Sequence, residues 1–139
     1  MRIAVPSETQ GNETRVAATP DTVKRLINLG AECIIQKGAG TTSGITDSDF
    51  EAAGAKIAAS AAETLKDADV VLQVRRPDAS TLAGVKPDAI VLAIMDPYGQ
   101  DEALKQLAQA KVSAFAMEFM PRITRAQSMD VLSSQANLA

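Results

Sequence analysis

The chain of 139 residues has no histidine, no tryptophan and a single cysteine. Without histidine it can hold no Ser-His or Cys-His nucleophilic pair, no imidazole base and no His-ligated metal. One cysteine also excludes a structural zinc site of the usual ligand set. Cys33 can form no disulfide within the chain, which suits a reducing compartment. Aromatic residues make up only 3%. Long apolar runs are missing as well. The longest, Ala89 to Met95, has seven residues, against the ~20 that a membrane-spanning helix needs. The opening, Met1-Arg2-Ile3-Ala4-Val5-Pro6-Ser7-Glu8, has neither an apolar core nor a small-residue cleavage site, so no signal peptide is predicted. There is no excess of positive charge: 14 Lys and Arg stand against 17 Asp and Glu, a net charge of −3. That argues against a nucleic-acid-binding face. Any chemistry must come from carboxylates, arginine, lysine, amides, hydroxyls or a cofactor.

What is present is a regular alternation of short apolar runs and amphipathic stretches. Arg2 to Val5 reads as a strand stopped by Pro6. A polar loop follows to Ala18, longer than the usual ~4–6 residues, as functional loops often are. Thr19-Pro20 reads as a helix cap with proline in the first position, and Gly30 as the stop. Cys33 to Ile35, Lys56 to Ala59, Val70 to Val74, Ile90 to Met95 and Val112 to Met117 read as further strands. Thr46 and Ser60 read as caps of short helices, and Asp101 to Ala110 as a helix with Leu104 and Leu107 turned inward. This pattern predicts an α/β fold, a Rossmann-like open and mostly parallel sheet flanked by helices. The runs at Val70 and Ile90 are continuous rather than alternating, as in strands covered on both faces. Phe50, Phe115, Phe119 and the five methionines read as core or packing surface, and Cys33 as a small core residue.

Thr124-Arg125-Ala126-Gln127 reads as a capping box. The helix behind it runs to Ala139 without glycine, proline or a basic last turn, so the expectation is that it continues into a further subdomain. Gln127, Asp130, Ser133/Ser134 and Asn137 recur at spacings of three and four and share one helical face. Such a stripe suits a neutral polar ligand held by several hydrogen bonds; on composition alone it reads first as an ordinary solvated face. Arg122 and Arg125 precede it and could reach a phosphate or carboxamide. Arg15, in the loop after the first strand, could reach an anion at the carboxyl end of the sheet, or could simply be solvated. Arg75-Arg76-Pro77 and Asp96-Pro97 end two strands expected to be neighbours, where they could hold a ligand or pair with each other. Gly38-Ala39-Gly40 lacks the third glycine, for which Ser43 stands, and lacks the acid expected ~20 residues on. The glycine-rich dinucleotide fingerprint is therefore absent, and these glycines are read as serving a turn.

Two stretches carry a family resemblance. Arg2 to Pro6 with Asn12-Glu13-Thr14-Arg15-Val16-Ala17-Ala18-Thr19-Pro20 is similar to the opening shared by alanine dehydrogenases and transhydrogenases. Met120-Pro121-Arg122-Ile123-Thr124-Arg125-Ala126-Gln127-Ser128-Met129-Asp130, continuing to Ala139, resembles the signature of the NAD(P) transhydrogenase alpha subunit. The resemblance covers the whole chain and implies that residues 1–139 form an N-terminal subdomain, with the glycine fingerprint on a second one. It implies NAD(H) in the cleft of the complete subunit, NADP(H) on a partner domain, direct hydride transfer between them and a membrane domain that couples transfer to proton translocation. It assigns Arg122, Asp130 and Ser133 to the nicotinamide carboxamide and its surroundings, and Gln127 to the contact with the NADP(H) side; Gln127 and Asp130 would be catalytic. No metal is implied. It further implies partnership with the beta subunit, a homodimer of the complete component, and a cytoplasmic location peripheral to the inner membrane. Alanine dehydrogenases place a lysine and a histidine where Arg75 and Asp96 stand, so an amino-acid dehydrogenase is the weaker alternative. A non-catalytic α/β module that docks through the polar helix is the alternative of a different class.

Overall fold

The computed structural model describes residues 1–121 and 123–131. Six parallel strands form one sheet: β1 (Arg2–Val5), β2 (Glu32–Gln36), β3 (Lys56–Ala58), β4 (Val70–Arg75), β5 (Ile90–Ile94) and β6 (Ser113–Ala116). Their order is β3-β2-β1-β4-β5-β6, so the direction of winding reverses between β1 and β4. The connecting helices are α1 (Pro20–Asn28), α2 (Asp47–Ala52), α3 (Ala61–Leu65) and α4 (Asp101–Gln109). The expected α/β parallel sheet is present, and each expected strand and helix up to β6 lies within a few residues of its predicted place.

Local chemistry starts the helices where the sequence places them. Thr19 accepts the Thr22 N–H at the head of α1, with Pro20 in the first turn. Thr46 and Asp49 complete a reciprocal capping box at α2, and Ser60 accepts the Glu63 N–H at α3. Gly30 has φ +87°, so the turn that ends α1 falls on a residue free to adopt it.

Right-handed crossovers decide which face each helix covers. Stepping β1 to β2 to β3 puts α1 and α2 on one face. There Val23 and Phe50 pack on Ile3, Val5, Cys33 and Ile35. Stepping the other way, β4 to β5 to β6, puts the connections on the opposite face. There Leu65, Leu82 and Leu107 pack on Ala4, Val71, Val91 and Ala93. Ile3 and Ala4 thus serve opposite cores, as the pleat requires. Each large side chain buried in this way contributes ~1.5–3 kcal/mol.

One half-face receives no helix among the described residues. Leu72 and Leu92 are only partly buried, and β6 is largely exposed along its length. Full cover of β4 and β5 is therefore not realised. Phe50 is core, but Phe115 and Phe119 are 54% and 57% exposed, and Met1 and Met129 are also exposed. The reason is positional: both phenylalanines lie on or just past the edge strand, where no crossover returns among the described residues.

Candidate functional site

Winding reversal opens a crevice at the carboxyl ends of β1 and β4, the usual ligand position in open α/β sheets. The strands there end unevenly. β1 pairs with β4 only at Ile3–Val70 and Ala4–Val71, so β4 runs on past its neighbour. Its register against β5 shifts between Leu72 and Arg75, the kind of irregularity that re-aims side chains near sites. The Glu8 carboxylate takes over there, accepting the Val74 N–H at 2.6 Å and the Arg75 N–H at 3.1 Å. Burial raises the Glu8 carboxyl above the ordinary range, and the two N–H groups oppose that rise.

The loop after β1 then places an ion cluster over the β4 terminus. The Glu13 side chain is only 5% exposed. It accepts Arg15 Nε and Nη2, both at 2.6 Å, and Arg75 Nε at 2.9 Å. Hydrogen bonding from the Arg15 guanidinium is the first cause that holds its carboxyl at about 2. Arg15, 37% exposed, is therefore more than a solvated loop residue. With Val16 and Ala17 it walls a groove of about 310 Å³ on the bare half-face. Leu72, Leu92, Ile94, Met117 and Val131 supply the apolar lining.

At the next strand end Arg76 donates through Nη1 to the carbonyls of Met95 and Asp96. Thus Arg75 and Arg76 do not pair with the Asp96 carboxylate. Arg75 goes to Glu13, and Arg76 grips backbone. Glu118, in a 3₁₀ turn at Met117–Phe119, accepts the N–H groups of the same two residues, Met95 and Asp96.

The segment that follows differs from the expected helix. Residues Thr124–Met129 form a 3₁₀ helix whose cap is Ile123, with no side-chain capping bond. The Ile123 carbonyl accepts the Ala126 and Gln127 N–H groups, so Thr124 lies one place too far in to act as the cap. Asp130, at φ −72° and ψ 103°, ends this helix, so one unbroken helix does not run from Thr124 through Asp130. At its end the Asp130 N–H donates to the Gln127 carbonyl at 3.3 Å, one turn of backbone. Gln127 is exposed, Asp130 is half-buried, and Val131 enters the groove. Arg122, Ser133 and the predicted helix beyond Val131 lie outside the described residues.

Gly38-Ala39-Gly40 serves a turn, as expected. The Gly38 N–H is taken by Asp47 at 2.8 Å. A Cβ on Gly40 would lie 2.7 Å from the Ile45 carbonyl oxygen. Cys33 is buried, and burial pushes its thiol up, away from reactive thiolate character.

Sequence reasoning missed Glu8 and Glu118. Each follows its strand by two or three residues, a position that carries no mark in the periodicity of the sequence.

A model of the N-terminal domain of alanine dehydrogenase/PNT matches residues 4–139. The chain belongs to that family. Within it, the first portion of NAD(P) transhydrogenase subunit alpha from Rhodospirillum rubrum is 45% identical over all of this chain, which spans 38% of that relative. A crystal structure of transhydrogenase from Sinorhizobium meliloti is 51% identical with a TM-score of 0.94, covering 99% of this chain and 41% of that one. An L-alanine dehydrogenase structure shares the fold at 25% identity and a TM-score of 0.82, covering 91% of this chain and 35% of its own.

Proposed function

We propose that this chain is the N-terminal portion of the NAD(H)-binding subunit of a proton-translocating NAD(P) transhydrogenase. The observation that carries the reading is the chemistry of the two strand ends. An alanine dehydrogenase would place its lysine at Arg75 and its histidine at Asp96. Arg75 is held by Glu13, and a guanidinium is a poor proton shuttle in place of a lysine. Asp96 is exposed and its backbone is gripped on both sides. Neither is the lysine or the histidine that amino-acid dehydrogenation would use at these two strand ends. The likeness to the two transhydrogenases supports the same choice.

The groove suits a nicotinamide: Leu72, Leu92, Ile94 and Val131 offer apolar cover for the face of a flat ring, and the carboxylate of Asp130, next in the chain to Val131, suits the N–H2 of a carboxamide. Bound NAD(H) supplies the hydride, so the protein needs no acid or base of its own. Its residues hold the ring and exclude water. In this reading Asp130, with Arg122 and Ser133, orients the carboxamide, and Gln127 meets the NADP(H)-bearing partner. The second subdomain, the beta subunit, a homodimeric complete component and a place on the cytoplasmic face of the membrane belong to the same reading.

The test uses the complete subunit with its NADP(H)-binding partner. NADH should reduce a bound NADP+ analogue in a single turnover. Asp130→Asn and Gln127→Asn should slow that turnover by about tenfold or more, since small misplacements of reacting groups cost up to ~100-fold. NADH affinity should change much less. Alanine-dependent reduction of NAD+ without transfer between nucleotides would overturn the reading.

A further inference from the structure

At the carboxyl rim, side chains hold all four backbone polar groups of the Met95–Asp96 dipeptide. Its two N–H groups go to the two oxygens of Glu118. Its two carbonyls accept from Arg76 Nη1. Asp96 has φ +43°, a left-handed conformation that a residue with a Cβ rarely adopts. One anion and one cation therefore grip four backbone groups around a strained residue. β5 pairs with β6 only as far as Ala93–Ala116, so the β6 ladder stops short of these N–H groups.

Glu118 also lies where the chain leaves the sheet. It sits two residues past β6 and six before the 3₁₀ helix that carries Gln127. The neighbouring Met117 lines the groove together with Val131. The bonds from Glu118 to Met95 and Asp96, just past β5, thus set the point from which the chain turns toward Gln127 and Asp130.

We propose that Glu118 is a positioning residue for the nicotinamide site. Its two carboxylate oxygens fix the exit of the chain from β6 against β5, and Arg76 completes the clamp from the carbonyl side. Glu118 touches neither nucleotide nor reacting atom; it acts through the placement of Gln127 and Asp130. The inference rests on the transhydrogenase reading of those two residues.

Two variants separate acceptor chemistry from shape. Glu118→Gln keeps the size but turns an NH2 toward one of the two N–H groups. Glu118→Asp keeps two acceptor oxygens on a shorter stem. In the complete subunit with its NADP(H)-binding partner, Glu118→Gln should slow single-turnover hydride transfer by about tenfold, within the range that misplacement of reacting groups produces. NADH affinity should move by less than about threefold. Glu118→Asp should recover part of the rate. Amide hydrogen exchange should show faster exchange at Met95 and Asp96 in Glu118→Gln, with ladder amides of β1 and β2 unchanged. A Glu118→Gln rate equal to wild type, or one above that of Glu118→Asp, overturns the positioning role. A wild-type subunit that transfers no hydride overturns the transhydrogenase reading and this role with it, while the exchange data still report whether the clamp exists.

Discussion

Glu13 shows how one residue ties a loop to a strand end. It is nearly buried, and two arginines converge on it. A buried carboxylate in that position is expensive to leave unpaired. Its folded-state value of about 2 lies below the ordinary 4.5. Glu13 therefore contributes stability that is present above pH 4.5 and is lost as pH falls toward 2. Glu8 has the opposite sign. Burial raises its carboxyl, so its contribution is present in acid and is lost as pH rises through the raised value. Replacing Glu13 by Gln should destabilise the domain by ~1–3 kcal/mol at neutral pH, the usual cost of an unmet charged partner. The gap to wild type should narrow below pH 4.5. Urea unfolding followed from acid to neutral pH measures both curves, and a constant gap would count against the ion cluster.

At the scale of elements, short helices rely on their ends. α2 has six residues and begins with a capping box between Thr46 and Asp49. Hydrogen bonds from Thr46 lower the Asp49 carboxyl. Thr46→Ala should cost ~0.5–2 kcal/mol, read as a lower urea midpoint with an unchanged slope. These caps were legible because each is a local event: a hydroxyl or carboxylate, then a turn, then an apolar run. Thr124 to Gln127 spells the same local pattern and forms no such cap, since Ile123 already accepts the first two N–H groups there. Which residue becomes the cap depended on how the chain arrives from Pro121, and spacing carries no record of that. The partners of Arg75, Arg76, Glu8 and Glu118 were illegible for a related reason. They depend on strand lengths in three dimensions, and a ladder that stops early leaves no mark in periodicity.

At the scale of the molecule, winding direction explains both the groove and the exposed phenylalanines. The expected α/β class followed from alternation alone. The bare half-face did not, because it arises only once strand order is known. Tyr98 and Phe119 meet edge to face, with ring centroids 5.9 Å apart, yet both remain exposed. Among the described residues, no helix is long and apolar enough to cross a membrane.

The same reversal divides the molecule as a folding object. β1 to β3 close a contiguous unit over one core, while β4 to β6 share most of the other. Only two ladder positions, Ile3–Val70 and Ala4–Val71, join them at the seam, with the Glu8 and Glu13 carboxylates bridging beyond the ladder. The half that ends in Gln127 and Asp130 is expected to open as a unit before the half that begins the chain. Native-state hydrogen exchange should therefore give β5 and β6 amides a common, lower opening free energy than those of β1 and β2. Equal values across all six strands would mean that the seam is no weaker than the ladders on either side.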